Sequence, residues 1–170
     1  MLTGIIDYGA GNLRSVKNTL DSLGVEQRRI GDAAAFEAAS SEVDTLIFPG
    51  VGAFGDCSRN LDERGLMEPL RDWIAADKPF LGICIGFQML FESSTESPGA
   101  RGIAALPGQV VRFPDTEGLK VPHMGWNAAH SVDPGDPVWA GLGDSPHFYF
   151  VHSYFPEPAE RDLVASTTLH

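Results

Sequence analysis

The chain has 170 residues, of which 43% are hydrophobic and 21% are charged, and its formal net charge is −11. This length and composition predict one soluble globular domain, and the negative charge argues against a nucleic-acid or anionic-membrane surface. Two cysteines, Cys57 and Cys84, do not form a disulfide framework. The N-terminal residues lack the pattern of a signal peptide, and no apolar run has the length of a membrane span. We therefore predict a cytoplasmic protein.

The first half of the chain predicts strands that alternate with helices. Short apolar runs bounded by Gly and Pro indicate buried strands. Apolar residues at helical spacing follow Asn12, a candidate N-cap, and stop at Gly24. Two further helices are predicted, a short one over Ala33–Ala39 and a single amphipathic one over residues 61–74. The predicted strands are, in chain order, Leu2–Ile6, a weaker edge strand at Val25–Ile30, Thr45–Phe48 and Pro79–Ile83.

The second half of the chain, beyond Phe91, predicts strands alone. Gln109–Phe113 alternates with a period of two, His147–Phe155 is aromatic and rich in strand formers, and Leu163–Ala165 follows a Pro-containing turn. These segments are expected to form antiparallel strands that extend or cap a parallel sheet. The prediction is one α/β domain over residues 1–170, with a mostly parallel, flavodoxin-like sheet and helices on both faces.

Cys84 lies in a Gly-x-Cys-x-Gly motif between an apolar run and an amphipathic stretch. This context predicts a strand that turns sharply into a helix with the thiol at the apex, and Gly82 and Gly86 would allow the two elements to pass closely. A helix N-terminus lowers the pKa of a nearby thiol, so we expect a reactive thiolate. The alternative is a small buried cysteine in a glycine-rich loop.

A thiol that attacks an acyl group needs donors for the oxyanion. The backbone N–H of Ile85, directly after the nucleophile, is one candidate. The loop after the strand at Thr45–Phe48 should reach the same edge of the sheet, and the N–H of Val51 is the second candidate. Gly50 permits a flip of the Gly50–Val51 peptide that would open or close this donor. The alternative for this loop is an ordinary strand-to-helix turn.

Five segments together resemble a known family along the whole chain, in family order. The family is that of the glutamine amidotransferase subunits of imidazole glycerol phosphate synthase, which belong to the class I (triad) amidotransferases. The Gly-x-Cys-x-Gly motif is shared across class I, whereas the first and fourth segments are typical of this subfamily. The segments are Asp7–Leu13, Phe48–Phe54, Gly82–Gln88, Pro122–Asn127 and Phe148–Tyr154.

The resemblance implies hydrolysis of glutamine through a glutamyl thioester on Cys84, with the ammonia passing to a (β/α)8-barrel cyclase subunit in a heterodimer. No cofactor and no metal are implied. The cyclase makes imidazole glycerol phosphate and an aminoimidazole carboxamide ribotide in histidine biosynthesis. For Glu96, pairing with the substrate ammonium is chemically reasonable. The less favoured alternative is that Glu92 and Glu96 are solvated surface charges. The substrate-binding positions implied are Gly50, Gly52, Gln88, Glu96, Ser153 and Tyr154.

One part of the family pattern is absent, because none of the five histidines is followed two residues later by Glu. The family's general base and its orienting carboxylate lie in such a His-x-Glu motif. We expect that the chain stops before the family's final strands and helix and that these 170 residues alone are inactive and marginally stable, with an open sheet edge. His123 and His152 are expected to be structural. A degenerate family member is the alternative to a fragment.

Three functions remain open from the sequence. The first is the ammonia-producing amidotransferase, and the second is a non-catalytic scaffold that binds the barrel subunit. The third is an α/β-hydrolase-like thiol hydrolase, for which Asp144 or Asp162 with His170 is a poor catalytic set. The docking face for the partner is predicted to include Tyr8, Asn12 and Trp126.

Overall fold

A four-stranded parallel sheet forms the centre of the computed structural model, which describes residues 1–170. The strands lie in the order β2-β1-β3-β4, so that β1 and β3 are internal and β2 and β4 are edges. This arrangement confirms the predicted α/β class, including the edge position of the second strand. The strands are β1 (Leu2–Ile6), β2 (Glu26–Ile30), β3 (Thr45–Gly50) and β4 (Phe80–Cys84).

Helices connect the parallel strands and cover the sheet from two sides. The chain moves in one direction across the sheet from β1 to β2 and in the opposite direction from β2 to β3 and β4. Because crossovers between parallel strands are right-handed, the helix between β1 and β2 lies on one face of the sheet and the later helices lie on the other. Phe36 and Trp73 pack edge to face on the latter side, with ring centroids 6.1 Å apart. The helices are α1 (Leu13–Ser22), α2 (Ala33–Ala39), α3 (Phe54–Glu63) and α4 (Met67–Ala75).

The single helix predicted over residues 61–74 is wrong, because the segment is divided between α3 and α4. Gly65 has φ +65°, and the N–H of Leu66 donates to the carbonyl of Leu61 while that of Gly65 donates to Asp62. This pair of bonds is a Schellman ending, which satisfies the last carbonyls of α3. Leu61 and Leu66 are both fully buried, so the apolar contact that usually accompanies this motif is present.

The main core lies between the sheet and the helices α2, α3 and α4, which cover one of its faces. Ile6, Ile30, Leu46 and Phe48 have no exposed surface and point to this side. A side chain at Gly4 would place its Cβ 2.6 Å from the Leu46 side chain, so this position admits no larger residue without repacking.

The strands of the second half pair in three smaller sheets and are not hydrogen-bonded to the parallel sheet. The predicted strand at 147–155 is divided at Ser153, and the strand predicted at Leu163–Ala165 is wrong because a 3₁₀ turn occupies Arg161–Leu163. The pairings are β10-β6-β5, β11-β8 and β7-β9. The strands are β5 (Ser93–Ser94), β6 (Gly108–Arg112), β7 (His123–Ala128), β8 (His130–Ser131), β9 (His147–His152), β10 (Tyr154–Pro158) and β11 (Ser166–Thr167).

Strand β4 presents an open edge and an apolar surface. Leu81 and Ile83, which alternate with the glycine between them, are 53% and 41% exposed. Both features are aggregation hazards in a parallel sheet. No helix in the structure is both long enough and apolar enough to cross a membrane.

Candidate active site

The thiol of Cys84 stands at a strained turn between β4 and a single helical turn, α5 (Ile85–Gln88). Cys84 has φ +56° and ψ −115°, a conformation uncommon for a residue with a side chain. The flanking glycines are required by close packing: a Cβ on Gly86 would lie 1.8 Å from the Phe48 carbonyl oxygen, and one on Gly82 would lie 2.7 Å from that of Gly86. The geometry is therefore that of a nucleophile elbow.

The pKa of Cys84 is shifted in the direction opposite to the one that we expected. Partial removal of the thiol from water raises its pKa, and the nearby negative charge of Glu96 adds to this effect. A hydrogen bond from the Ile85 backbone N–H acts against these two causes without overcoming them. Because α5 is only four residues long, its dipole is small, and the resting site favours the neutral thiol.

Strand β3 brings the Gly50–Gly52 segment beside the elbow. It continues two residues beyond the predicted end, and Gly50 is the register partner of Cys84. A Cβ on Gly50 would lie 3.0 Å from both the Ile85 Cβ and the Tyr8 hydroxyl, so a side chain there would require these neighbours to shift. Gly52 has φ +97° and faces open space. The structure thus places the two predicted oxyanion segments next to each other.

The N–H of Val51, the predicted second oxyanion donor, is used inside the protein. It donates to the Tyr8 hydroxyl over 3.1 Å, and that hydroxyl donates to the Val51 carbonyl over 3.2 Å. In this conformation Ile85 is therefore the candidate that faces the sulfur, whereas Val51 is engaged by Tyr8. Sequence reasoning missed this contact because the two residues are 43 positions apart and no local pattern joins them.

Glu96 lies between the N-terminus of α3 and the thiol. Its carboxylate accepts a hydrogen bond from the Phe54 N–H over 2.8 Å, and Ser97 accepts one from Gly55 over 3.0 Å. These two side chains replace an N-cap on α3, whose cap residue Ala53 has no side chain that could serve. Because its charge also acts on Cys84, Glu96 is a fixed carboxylate of the site and not a freely solvated charge.

Gln88 is buried at the end of α5 and holds an unused acceptor. Its side-chain nitrogen donates to the Tyr154 carbonyl over 3.4 Å, while its oxygen has no partner. Ser153 lies between β9 and β10, where its carbonyl accepts from the Phe113 N–H. Of the last two predicted substrate-binding residues, Tyr154 thus contacts Gln88 in the elbow region, and Ser153 directly precedes it in the chain.

Three of the five histidines, His123, His152 and His170, form a group in the antiparallel half. The nearest ring nitrogens of His123 and His152 are 3.2 Å apart, and the other nitrogen of His152 contacts the Tyr154 carbonyl. His170 contacts the Lys120 carbonyl over 2.6 Å. No hydrogen bond or ion pair in the structure joins a histidine to Cys84.

The three residues predicted for partner docking are in different environments. Tyr8 is 1% exposed, so its side chain packs inside the protein, and a docking role for the Tyr8–Asn12 loop stays a prediction. Asn12 is exposed, and its side chain caps α1 by accepting from the Ser15 N–H. Trp126 is 68% exposed and shares one side of the β7-β9 ribbon with Met124 and Val151, which are 61% and 54% exposed.

The fold and the thiol elbow together define a class of protein. A family model described as glutamine amidotransferase class-I matches residues 4–169, and the chain therefore belongs to that family. Among its relatives, the imidazole glycerol phosphate synthase subunit HisH of Rhodopirellula baltica is 48% identical over 163 residues, covering 96% of this chain and 77% of the relative. The HisH subunit of Aromatoleum aromaticum is 50% identical over 170 residues, with 95% and 77% covered.

Solved structures agree with the architecture. A crystal structure of a glutamine amidotransferase covers 94% of this chain and 75% of its own, with a TM-score of 0.69 at 21% identity. The structure of PurLQS from Thermotoga maritima covers 99% and 74%, with a TM-score of 0.71 at 15% identity. At these identities, the likeness concerns the fold.

Proposed function

We propose that this chain hydrolyses L-glutamine to glutamate and ammonia and that it acts with a (β/α)8-barrel cyclase subunit in a heterodimer of histidine biosynthesis. The relatives that are 48% and 50% identical are named as subunits of imidazole glycerol phosphate synthase, which supports a place in a larger enzyme. The cyclase would use the ammonia to make imidazole glycerol phosphate and an aminoimidazole carboxamide ribotide.

The observation that carries the proposal is the set of groups around Cys84. The sulfur would attack the side-chain amide carbon, forming the C–S bond as the amide oxygen takes up negative charge beside the Ile85 N–H. The thiol proton passes to the amide nitrogen as the C–N bond breaks, so that neutral ammonia leaves. Water then hydrolyses the thioester to glutamate and the free thiol. Both halves of this acyl transfer use the same strained apex.

Two further groups suit the amino-acid end of glutamine. Glu96 is held in place by its bond to the Phe54 N–H and can pair with the substrate ammonium. The unpartnered oxygen of buried Gln88 can accept a substrate N–H, which would remove the cost of an unsatisfied polar atom. Gly50, Gly52, Ser153 and Tyr154 complete the proposed substrate contacts.

Labelling with 6-diazo-5-oxo-L-norleucine, an electrophilic analogue of glutamine, tests this site. The thiol proton passes to the diazo carbon, and the sulfur then displaces N₂, so that no histidine is needed for the reaction. We expect one label on Cys84 and none on buried Cys57, with protection by glutamine and none in Cys84→Ser. The analogue one methylene shorter should label at least tenfold more slowly, since a fixed carboxylate selects chain length. Equal labelling by both analogues would refute a glutamine site.

A partner-binding scaffold without catalysis is the second candidate function. Partner binding is common to both functions and is proposed to use the exposed side of the β7-β9 ribbon that carries Met124, Trp126 and Val151. Trp126→Ala should weaken binding to the cyclase subunit by more than tenfold, as expected for a central aromatic contact. The exposed Val132→Ala, outside this ribbon, is the matched control. Equal affinities of the two variants for the cyclase subunit would show that the interface does not include Trp126.

A further inference from the structure

The hydroxyl of Tyr8 holds both peptide groups that flank Val51. The Val51 N–H belongs to the peptide that follows Gly50, and the Val51 carbonyl belongs to the next one, so a single hydroxyl bonds two successive peptides at 3.1 and 3.2 Å. This double contact restricts rotation of the segment that lies beside the elbow. Val51 itself is 53% exposed, so its own side chain does little to hold the segment.

The position of Tyr8 is itself fixed by packing. Its ring meets Phe48 edge to face with centroids 5.5 Å apart, and the residue is 1% exposed. Burial raises the pKa of Tyr8 above its usual range, and the neighbouring Cys57 thiol adds to this shift. The hydroxyl therefore keeps its proton and can act as donor and acceptor at the same time.

We propose that Tyr8 is a positioning residue that competes with the substrate for the Val51 N–H and so keeps the second oxyanion donor out of use in the resting chain. Release of this bond would free the Val51 N–H for the negative oxygen that forms during attack by Cys84. The inference rests on the proposed function, because it concerns the oxyanion of that same reaction. It assigns to the buried Tyr8 side chain a role inside the protein.

The test compares labelling rates of wild type and Tyr8→Phe with two reagents. This substitution keeps the ring that contacts Phe48 and removes only the hydroxyl. Loss of one competing hydrogen bond should speed labelling by 6-diazo-5-oxo-L-norleucine about three- to tenfold, because the ketone oxygen of the reagent can then accept from Val51. Iodoacetamide, which does not occupy the glutamine site, should react equally with both proteins.

Ser58→Ala is the control for a merely structural effect, since it removes another part-buried hydroxyl bond, the one to the Arg101 carbonyl. It should change neither rate. A Tyr8→Phe rate equal to or below wild type with the glutamine analogue would overturn the proposal. Failure of wild type to be labelled at all would instead count against the glutamine site itself, so the two failures are distinguishable.

Hydrogen exchange of wild type keeps the proposal testable if Tyr8→Phe does not fold. The Val51 amide should exchange at least tenfold more slowly than an unbonded loop amide of the same sequence context, and the glutamine analogue, once attached to Cys84, should change that rate. Exchange at the unbonded rate in the free chain would show that Tyr8 does not hold the amide.

Discussion

Substitution of Gly86 by Ala should be one of the most damaging single-methyl changes in the chain. The new Cβ would lie 1.8 Å from the Phe48 carbonyl oxygen and 2.8 Å from the carbonyl carbon. Reaching an ordinary contact of 3.4 Å would require the oxygen to move by about 1.6 Å. The obstacle is the backbone of β3, which is held in place by its pairing with β1 and β4. We therefore expect the free energy of unfolding to fall by about 3 kcal/mol, the upper part of the range for overpacking.

Urea unfolding measures this loss, and Gly24→Ala provides the control. Gly24 has φ +66°, and a Cβ added there would have nothing within 4 Å, so its replacement should cost only about 1 kcal/mol of left-handed backbone strain. With a typical slope of about 2 kcal/mol per molar urea, Gly86→Ala should lower the midpoint by about 1.5 M and Gly24→Ala by about 0.5 M. Equal shifts would refute the claim that close strand–helix packing fixes the elbow.

Three more outcomes are expected. Partial desolvation and, secondarily, Glu96 raise the pKa of the Cys84 thiol, so Glu96→Gln should speed iodoacetamide alkylation at pH 8 while it slows labelling by the glutamine analogue. Slowing of both reactions would contradict this. Burial lowers the pKa of His123, so stability should fall as the pH drops below about 6.5, and urea midpoints of His123→Gln should show a flatter pH dependence. Replacing the exposed Leu81 by Lys should lower the free energy of unfolding by less than about 0.5 kcal/mol and should reduce self-association in light scattering. Replacing the fully buried Leu46 by Ala should lower the free energy of unfolding by about 2–5 kcal/mol.

Local signals in the sequence accounted for most of the parallel half of the fold. Apolar runs bounded by Gly and Pro located β1, β3 and β4 to within two residues, and Asn12 caps α1 as predicted. Gly65 was the exception, since a helix ends there although apolar residues continue at helical spacing on both sides. A glycine between two buried leucines was the available signal for that ending.

The contacts that tune the site could not be predicted, because they join distant segments. Glu96 and Ser97 cap α3 from a loop about 40 residues away, and Tyr8, just after β1, contacts Val51, just after the neighbouring strand β3. The predicted direction of the Cys84 pKa shift is wrong for a related reason. The prediction uses the dipole of a helix, whereas the structure has a single turn there, and partial desolvation of the thiol, in a residue that is itself exposed, outweighs the Ile85 N–H hydrogen bond.

Glutamine-dependent turnover of the natural complex tests the central claim most directly. The protein would be purified from its source cells together with the cyclase subunit, and cyclase product would be measured with either glutamine or ammonium salt as the nitrogen source. We predict product from both sources in wild type and from ammonium alone in Cys84→Ser. A wild-type complex that uses ammonium and never glutamine would contradict glutamine hydrolysis at Cys84 and leave the scaffold function in its place.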